Sequence, residues 1–121
     1  MNNTIWVTGS KGQLGTELEL QQQKLPNVQF LFTDIEELDL TDKQAVIDFA
    51  ITKKPSIIIN CAAYTAVDKA EEEPEKAFLI NSNVPAIISE AAKRVNAIVI
   101  HISTDYVFDG KKQTPYVESD L

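Results

Sequence analysis

The sequence predicts an α/β domain built on a parallel, doubly wound sheet. Three observations carry that expectation: short apolar runs recur along the chain, helical patterns separate them, and a glycine-rich turn directly follows the first run. Strands that alternate with helices make repeated βαβ units, whose right-handed crossovers leave neighbouring strands parallel. The expected strand order is 3-2-1-4.

Each element has its own signal. Ile5-Trp6-Val7 is a short apolar run ending at Gly9 and reads as a buried first strand. Gln13 to Gln23 places Leu14 and Leu18, with Leu25 beyond, near helical spacing until Pro26 breaks the pattern. Val28 to Thr33 is the second strand. From Asp42 to Lys53, Ala45, Val46, Phe49 and Ala50 form one apolar stripe, with Thr41 suited to the N-cap and Pro55 as the stop. Ile57-Ile58-Ile59 lies inside the third strand, Ser56 to Asn60, buried on both faces. Pro74 to Val95 is helical, and Pro85 inside it predicts a kink or two abutting helices. Ala97 to Ser103 holds Ile98-Val99-Ile100, the fourth strand, and Asp109-Gly110 and Thr114-Pro115 are turn signals.

Composition narrows the function. A chain of 121 residues fits one domain, residues 1–121, without internal repeat or linker. Hydrophobic residues at 44% and charged residues at 24% are a globular balance, and a net charge of -7 disfavours nucleic acid. The apolar runs are too short to span a bilayer. Met1-Asn2-Asn3-Thr4 has no basic segment ahead of an apolar one, so no signal peptide is expected. Cys61 is the single cysteine and cannot form an internal disulfide, which suits a reducing cytoplasm.

The chemistry begins at Gly9-Ser10-Lys11-Gly12-Gln13-Leu14-Gly15, between the first strand and the first helix. Gly9 permits a sharp turn, Gly12 lets backbone amides approach a diphosphate, and Gly15 lets the helix pack closely on the strand. Amides at the helix start, with the helix dipole, favour an anion. The spacing points to a Rossmann-type dinucleotide site. Asp34 ends the second strand, 19 residues after Gly15, where a carboxylate accepts hydrogen bonds from a ribose diol and repels a 2′-phosphate. That favours NADH over NADPH unless a nearby cation offsets the charge. A turn-capping role for Asp34 is the plainer alternative.

Two further segments, Asn60 to Glu71 and His101-Ile102-Ser103-Thr104-Asp105-Tyr106-Val107-Phe108-Asp109-Gly110, closely resemble the dTDP-4-dehydrorhamnose reductase family of extended short-chain dehydrogenases/reductases. The resemblance also takes in the glycine loop, Asp39-Leu40-Thr41-Asp42, Asn81 and Thr114 to Glu118, and so covers essentially the whole chain. It implies a Rossmann-type domain followed, in the full-length protein, by a smaller substrate domain. It implies reduction of the C4 ketone of dTDP-4-dehydro-L-rhamnose with NADH or NADPH, in dTDP-rhamnose and polysaccharide biosynthesis. Gly12, Gln13 and Leu14 would hold the diphosphate, Asp39 and Leu40 would border the adenine, and Ala62, Ala63 and Tyr64 would line the ribose and nicotinamide side. Thr104 would be the catalytic hydroxyl, and Thr104 and Asp105 would touch the sugar. A homodimer is implied, with magnesium at a dimer contact near Glu17 in some relatives. No other metal-ligand spacing is visible.

Other residues read more plainly. His101 and Trp6 read as strand packing, Cys61 as a small packing residue, and Glu71-Glu72-Glu73 as a solvated helix start. The family's proton donor is a tyrosine with a lysine four residues later. Here Asp68, Gly110 and Asp120 occupy that position after Tyr64, Tyr106 and Tyr116. The sequence therefore predicts the N-terminal portion of a longer enzyme, unable to turn over alone and exposing an unpaired fourth strand. The alternatives are a nucleotide-sugar epimerase or dehydratase, which shares the loop and the catalytic hydroxyl, and a non-catalytic NAD(P)-binding regulatory subunit.

Overall fold

An extended segment that is apolar on both sides needs cover on both sides, and this places the first strand at the interior of the sheet. The computed structural model describes residues 3–62, 74–75, 82–102 and 111–119. The strands are β1 (Thr4–Thr8), β2 (Gln29–Thr33), β3 (Ile57–Asn60) and β4 (Ile98–His101). The helices are α1 (Gln13–Gln21), extended by a 3₁₀ turn at Gln22–Lys24, α2 (Lys43–Lys53) and α3 (Val84–Val95). In β1, Trp6 and Val7 point to opposite faces and are both fully buried.

All strand pairs are parallel, and the sheet runs β2-β1-β3-β4. This corrects the expected order 3-2-1-4. The second crossover does not continue outward past β2; it returns over β1 and sets β3 on the other side. Burial explains the choice. Gln29 of β2 is exposed and Phe30, Leu31 and Phe32 are only partly buried, as befits an edge, while Ile58 of β3 is fully buried. An isoleucine run of that kind belongs inside the sheet, between β1 and β4. The reversal of winding direction therefore lies between β1 and β3, the kind of switch point where open α/β sheets form a crevice.

In a parallel sheet, registered partners share a face. Leu31, Trp6, Ile58 and Val99 are registered in turn across the four strands. This row meets Val46, Ile47 and Ala50 of α2 and Val84, Ile88, Ala91 and Ala92 of α3, which together form the main core. The Trp6 ring packs on Phe49 with centroids 4.7 Å apart, and its indole nitrogen donates to Thr33 Oγ1 at 2.9 Å. A buried indole N–H is thus satisfied, and Trp6 is core, as expected. Lys43 and Glu90 join α2 to α3 at the surface, 2.8 Å apart. β4 is exposed, with Ile98 65% and Ile100 45% accessible, and pairs, among the described residues, only with β3.

One helix end differs from expectation. The N-cap of α2 is Asp42, not Thr41: the Asp42 carboxylate accepts from Ala45 N at 3.1 Å. Thr41 is held instead by Asp39, which accepts from both its amide and its hydroxyl. Pro85 lies in the first turn of α3, directly after a π-helical turn at 82–83, and the helical pair at 74–75 stands upstream. The stretch between them, 76–81, on which the expected kink or pair of abutting helices turns, lies outside the described residues. α2 and α3 end in the left-handed residues Lys54 (φ 49°) and Asn96 (φ 56°), so α2 has stopped before Pro55.

The cap assignment has a direct consequence. Asp42→Ala should lower unfolding free energy by about 1 kcal/mol, and Asp42→Asn should retain most of it, read from denaturant midpoints at constant m. Equal losses in both variants would contradict a capping role.

Candidate functional site

The carboxyl ends of β1, β2 and β3 are stitched together by backbone hydrogen bonds. Ser10 N donates to Thr33 O at 3.1 Å, and Cys61 N donates to Thr8 O at 3.3 Å. Between them Gly9 turns with φ 62°, a left-handed backbone. A Cβ on Gly9 would stand 2.6 Å from Ala62 N and 2.7 Å from Cys61 C, so the backbone that leaves β3 occupies the space a side chain would need. Gly15 is buried where α1 crosses this turn, and a Cβ there would lie 2.6 Å from Ser10 Cα. Gly12 differs. It is extended (φ −74°, ψ 179°), and a Cβ there would meet only Gly9 O at 3.3 Å.

Gly12 is also the N-cap of α1, and it brings no side chain to the first-turn amides. Those amides have no carbonyl in a preceding turn. They are donors at the positive end of a helix dipole, next to open space, which suits an anion. Gln13 and Leu14 begin that turn and are exposed.

A cleft of about 430 Å³ opens beside this loop. It is lined by Gly9, Gly12, Asp34, Asp39, Leu40 and Ala62 of the sequence-derived candidates, and by Lys11, Thr33, Ile35, Leu38, Thr41, Cys61 and Val84. Asp34 is fixed at its rim. Its Oδ2 accepts from Lys11 N at 2.8 Å and its Oδ1 from Ile35 N at 2.8 Å. Its own N–H donates to Glu37 Oε2, and its carbonyl accepts from the amides of Glu37 and Leu38. Asp34 therefore caps a turn and faces the cleft at once. Hydrogen bonds from Thr41 hold the Asp39 carboxyl below the usual carboxylate range.

Beneath the cleft a polar chain links the strand ends. Thr8 Oγ1 donates to Asn60 Oδ1 at 2.6 Å, and Asn60 Oδ1 also accepts from Ala62 N at 3.2 Å. Asn60 Nδ2 lies 3.1 Å from His101 Nδ1, so the buried amide is satisfied on both sides. His101 is an exposed edge residue whose ring serves this network. Burial pushes the Cys61 thiol up, which keeps it protonated and a poor nucleophile at neutral pH.

Ala63, Tyr64, Thr104 and Asp105 lie outside the described residues, as do Glu71, Glu72, Glu73 and Asn81. Glu17 is exposed on α1, and among the described residues no three metal-ligating side chains gather. Among the described residues, no helix is long and apolar enough to cross a membrane. Sequence reasoning passed over Lys11 and its partner Glu36, and over the Thr8–Asn60 bond. Lys11 stood in plain view between two loop glycines; the Thr8–Asn60 bond spans 52 residues and has no local signal. A second hollow, on the outer face of α3 at Ser89, Glu90, Lys93 and Arg94, draws on one helix alone.

The family model described as the RmlD substrate binding domain matches residues 3–121. A dTDP-4-dehydrorhamnose reductase of Aggregatibacter actinomycetemcomitans is 43% identical over 97% of this chain and 40% of its own length. One from Escherichia coli is 42% identical over 96% of this chain and 40% of its own length. The chain thus spans about two-fifths of the curated relatives it matches. Among solved structures, a dTDP-4-dehydrorhamnose reductase of Clostridium acetobutylicum superposes with a TM-score of 0.92 at 47% identity, covering 98% of this chain and 42% of that one. The Bacillus anthracis dTDP-4-dehydrorhamnose reductase, solved in complex with NADP, gives 0.84 at 38% identity, covering 93% and 40%.

The loop glycines should separate by experiment. Gly9→Ala should lose about 1–2 kcal/mol from the left-handed backbone alone, with the clash against Ala62 added to it. Gly12→Ala should cost less than about 1 kcal/mol. Denaturant unfolding of both variants checks this; a Gly9→Ala protein as stable as wild type would contradict the close approach of the strand ends.

Proposed function

The chain belongs to the family of the RmlD substrate binding domain, and from that premise we propose that it is the dinucleotide-binding portion of a dTDP-4-dehydrorhamnose reductase. One observation carries the proposal: the Gly9–Gly12 turn, Asp34 and the Cys61–Ala62 backbone converge on one cleft at the carboxyl edge of the sheet. The residues present fit a nicotinamide dinucleotide. Amides at the start of α1 suit its diphosphate, and the open side of Gly12 admits it. Asp34, Asp39 and Leu40 line the same cleft, where Asp34 would meet the adenosine ribose and Asp39 and Leu40 the adenine. Ala62, with Ala63 and Tyr64 assigned by resemblance, would complete the nicotinamide side.

When bound, the reduced dinucleotide would supply a hydride to the C4 carbonyl carbon of dTDP-4-dehydro-L-rhamnose, and the oxygen would take its proton from the tyrosine of the family's tyrosine-lysine pair. In this account the chain's own residues bind and orient. The α1 amides neutralise phosphate charge, Asp34 accepts from ribose hydroxyls, and the Thr8–Asn60 bond holds the strand ends at fixed spacing. Thr104 and Asp105 are assigned by resemblance to the sugar, with Thr104 donating to the carbonyl oxygen as negative charge builds there. The lone thiol suits the cytoplasm, and a second copy of the chain is the proposed partner.

Nicotinamide fluorescence with NADH and NADPH tests the binding role. Either cofactor should bind, and Gly12→Ala should weaken binding about tenfold or more, because charge-assisted hydrogen bonds to the diphosphate are lost. In the intact protein, oxidation of the bound cofactor should depend on the dTDP-sugar. Cofactor binding without such oxidation would remove the reductase assignment while leaving the dinucleotide site in place.

A further inference from the structure

Asp34 alone would make the cleft selective against a 2′-phosphate, because its carboxylate cannot swing aside. Each oxygen is tied to a backbone amide, Lys11 N on one and Ile35 N on the other, both at 2.8 Å. A carboxylate has about four acceptor positions, so room remains for ribose hydroxyls. A phosphate in the same place would face a fixed negative charge.

Among the described residues lining the cleft, Lys11 is the one cation. Its backbone is anchored to Asp34, so the ammonium must stay within one side-chain length of that carboxylate. Here it is engaged elsewhere: Lys11 Nζ lies 2.8 Å from Glu36 Oε2, with the two side chains 57% and 75% accessible. Such a pair is weak and screened by solvent, so its lysine is free to exchange toward a stronger anion. Glu37 is not equivalent to Glu36, since its carboxylate is occupied by the Asp34 amide.

Resting on the dinucleotide assignment above, we infer that the Lys11–Glu36 pair sets the choice between NADH and NADPH. With Lys11 on Glu36, the rim presents Asp34 to a ribose diol and favours NADH. With Lys11 released, its ammonium offsets Asp34 and holds the 2′-phosphate, and the site accepts NADPH. Glu36 thus competes with the phosphate for one cation, and its strength as a competitor tunes the preference.

The test is the ratio of NADPH to NADH dissociation constants in the intact protein, measured for wild type, Lys11→Ala, Glu36→Gln and the double variant. The ratio should rise about tenfold in Lys11→Ala and fall about threefold or more in Glu36→Gln, differences that shrink with added salt. In the Lys11→Ala background, Glu36→Gln should no longer move the ratio. An unchanged ratio in Lys11→Ala would overturn the inference. So would an undiminished Glu36→Gln effect in the double variant, which would mark Glu36 as acting through net charge alone. If the wild-type protein bound neither cofactor, the dinucleotide assignment itself would fall; if NADH bound and the ratio stayed fixed, only the role of Lys11 and Glu36 would.

Discussion

The backbone of Gly9 lies so close to that of Cys61 and Ala62 that no side chain fits between them, and the geometry of the cleft depends on this contact. It requires a left-handed residue immediately after β1, and it requires β3 to run beside β1 so that Cys61 and Ala62 arrive there. Ser10 then bonds to the end of β2. Three strand ends are fixed against one another by main-chain contacts, before any functional side chain is considered. A site built on backbone tolerates no slack, which suits the binding of a large, flexible ligand in one conformation.

The sheet and helices serve that junction. The row from Leu31 through Trp6 and Ile58 to Val99 gives α2 and α3 an apolar floor, and the Trp6 indole ties the floor to the last residue of β2. α1 meets the end of β1 at the glycine turn, where Gly15 allows the helix to sit directly on Ser10. Gly9 and Gly15 therefore work for the fold, and Gly12 is the glycine left facing open space. A single motif divides into structural and ligand-facing positions, a distinction that rests on what a Cβ would meet.

Most of the fold was legible in local pattern. The isoleucine run of β3, the stripe of α2 and the turn after Val7 are set by neighbours a few residues apart, so periodicity finds them. The strand order was not legible, because placing β3 beyond β1 is a long-range decision. β2, with Phe30, Leu31 and Phe32 in a row, is as apolar as the isoleucine run of β3, so no local pattern separates an edge strand from an interior one. The N-cap of α2 moved by one residue for a similar reason: Asp39 had already taken Thr41 as its partner. At the site, the spacing of Gly9, Gly12 and Asp34 was enough to bring them together. Lys11 was readable as a charge, but its pairing with Glu36 depends on how the turn after β2 folds back over the loop.

The central claim is that main-chain amides at the start of α1 receive the linked phosphates of a dinucleotide. Backbone ¹⁵N–¹H shifts during titration with ADP, which carries the diphosphate without the nicotinamide, test it most directly. The largest changes should fall on Gly12, Gln13 and Leu14, with smaller ones at Asp34 and Leu40. Changes centred on α3, around Ser89 to Arg94, with the loop amides still, would contradict it.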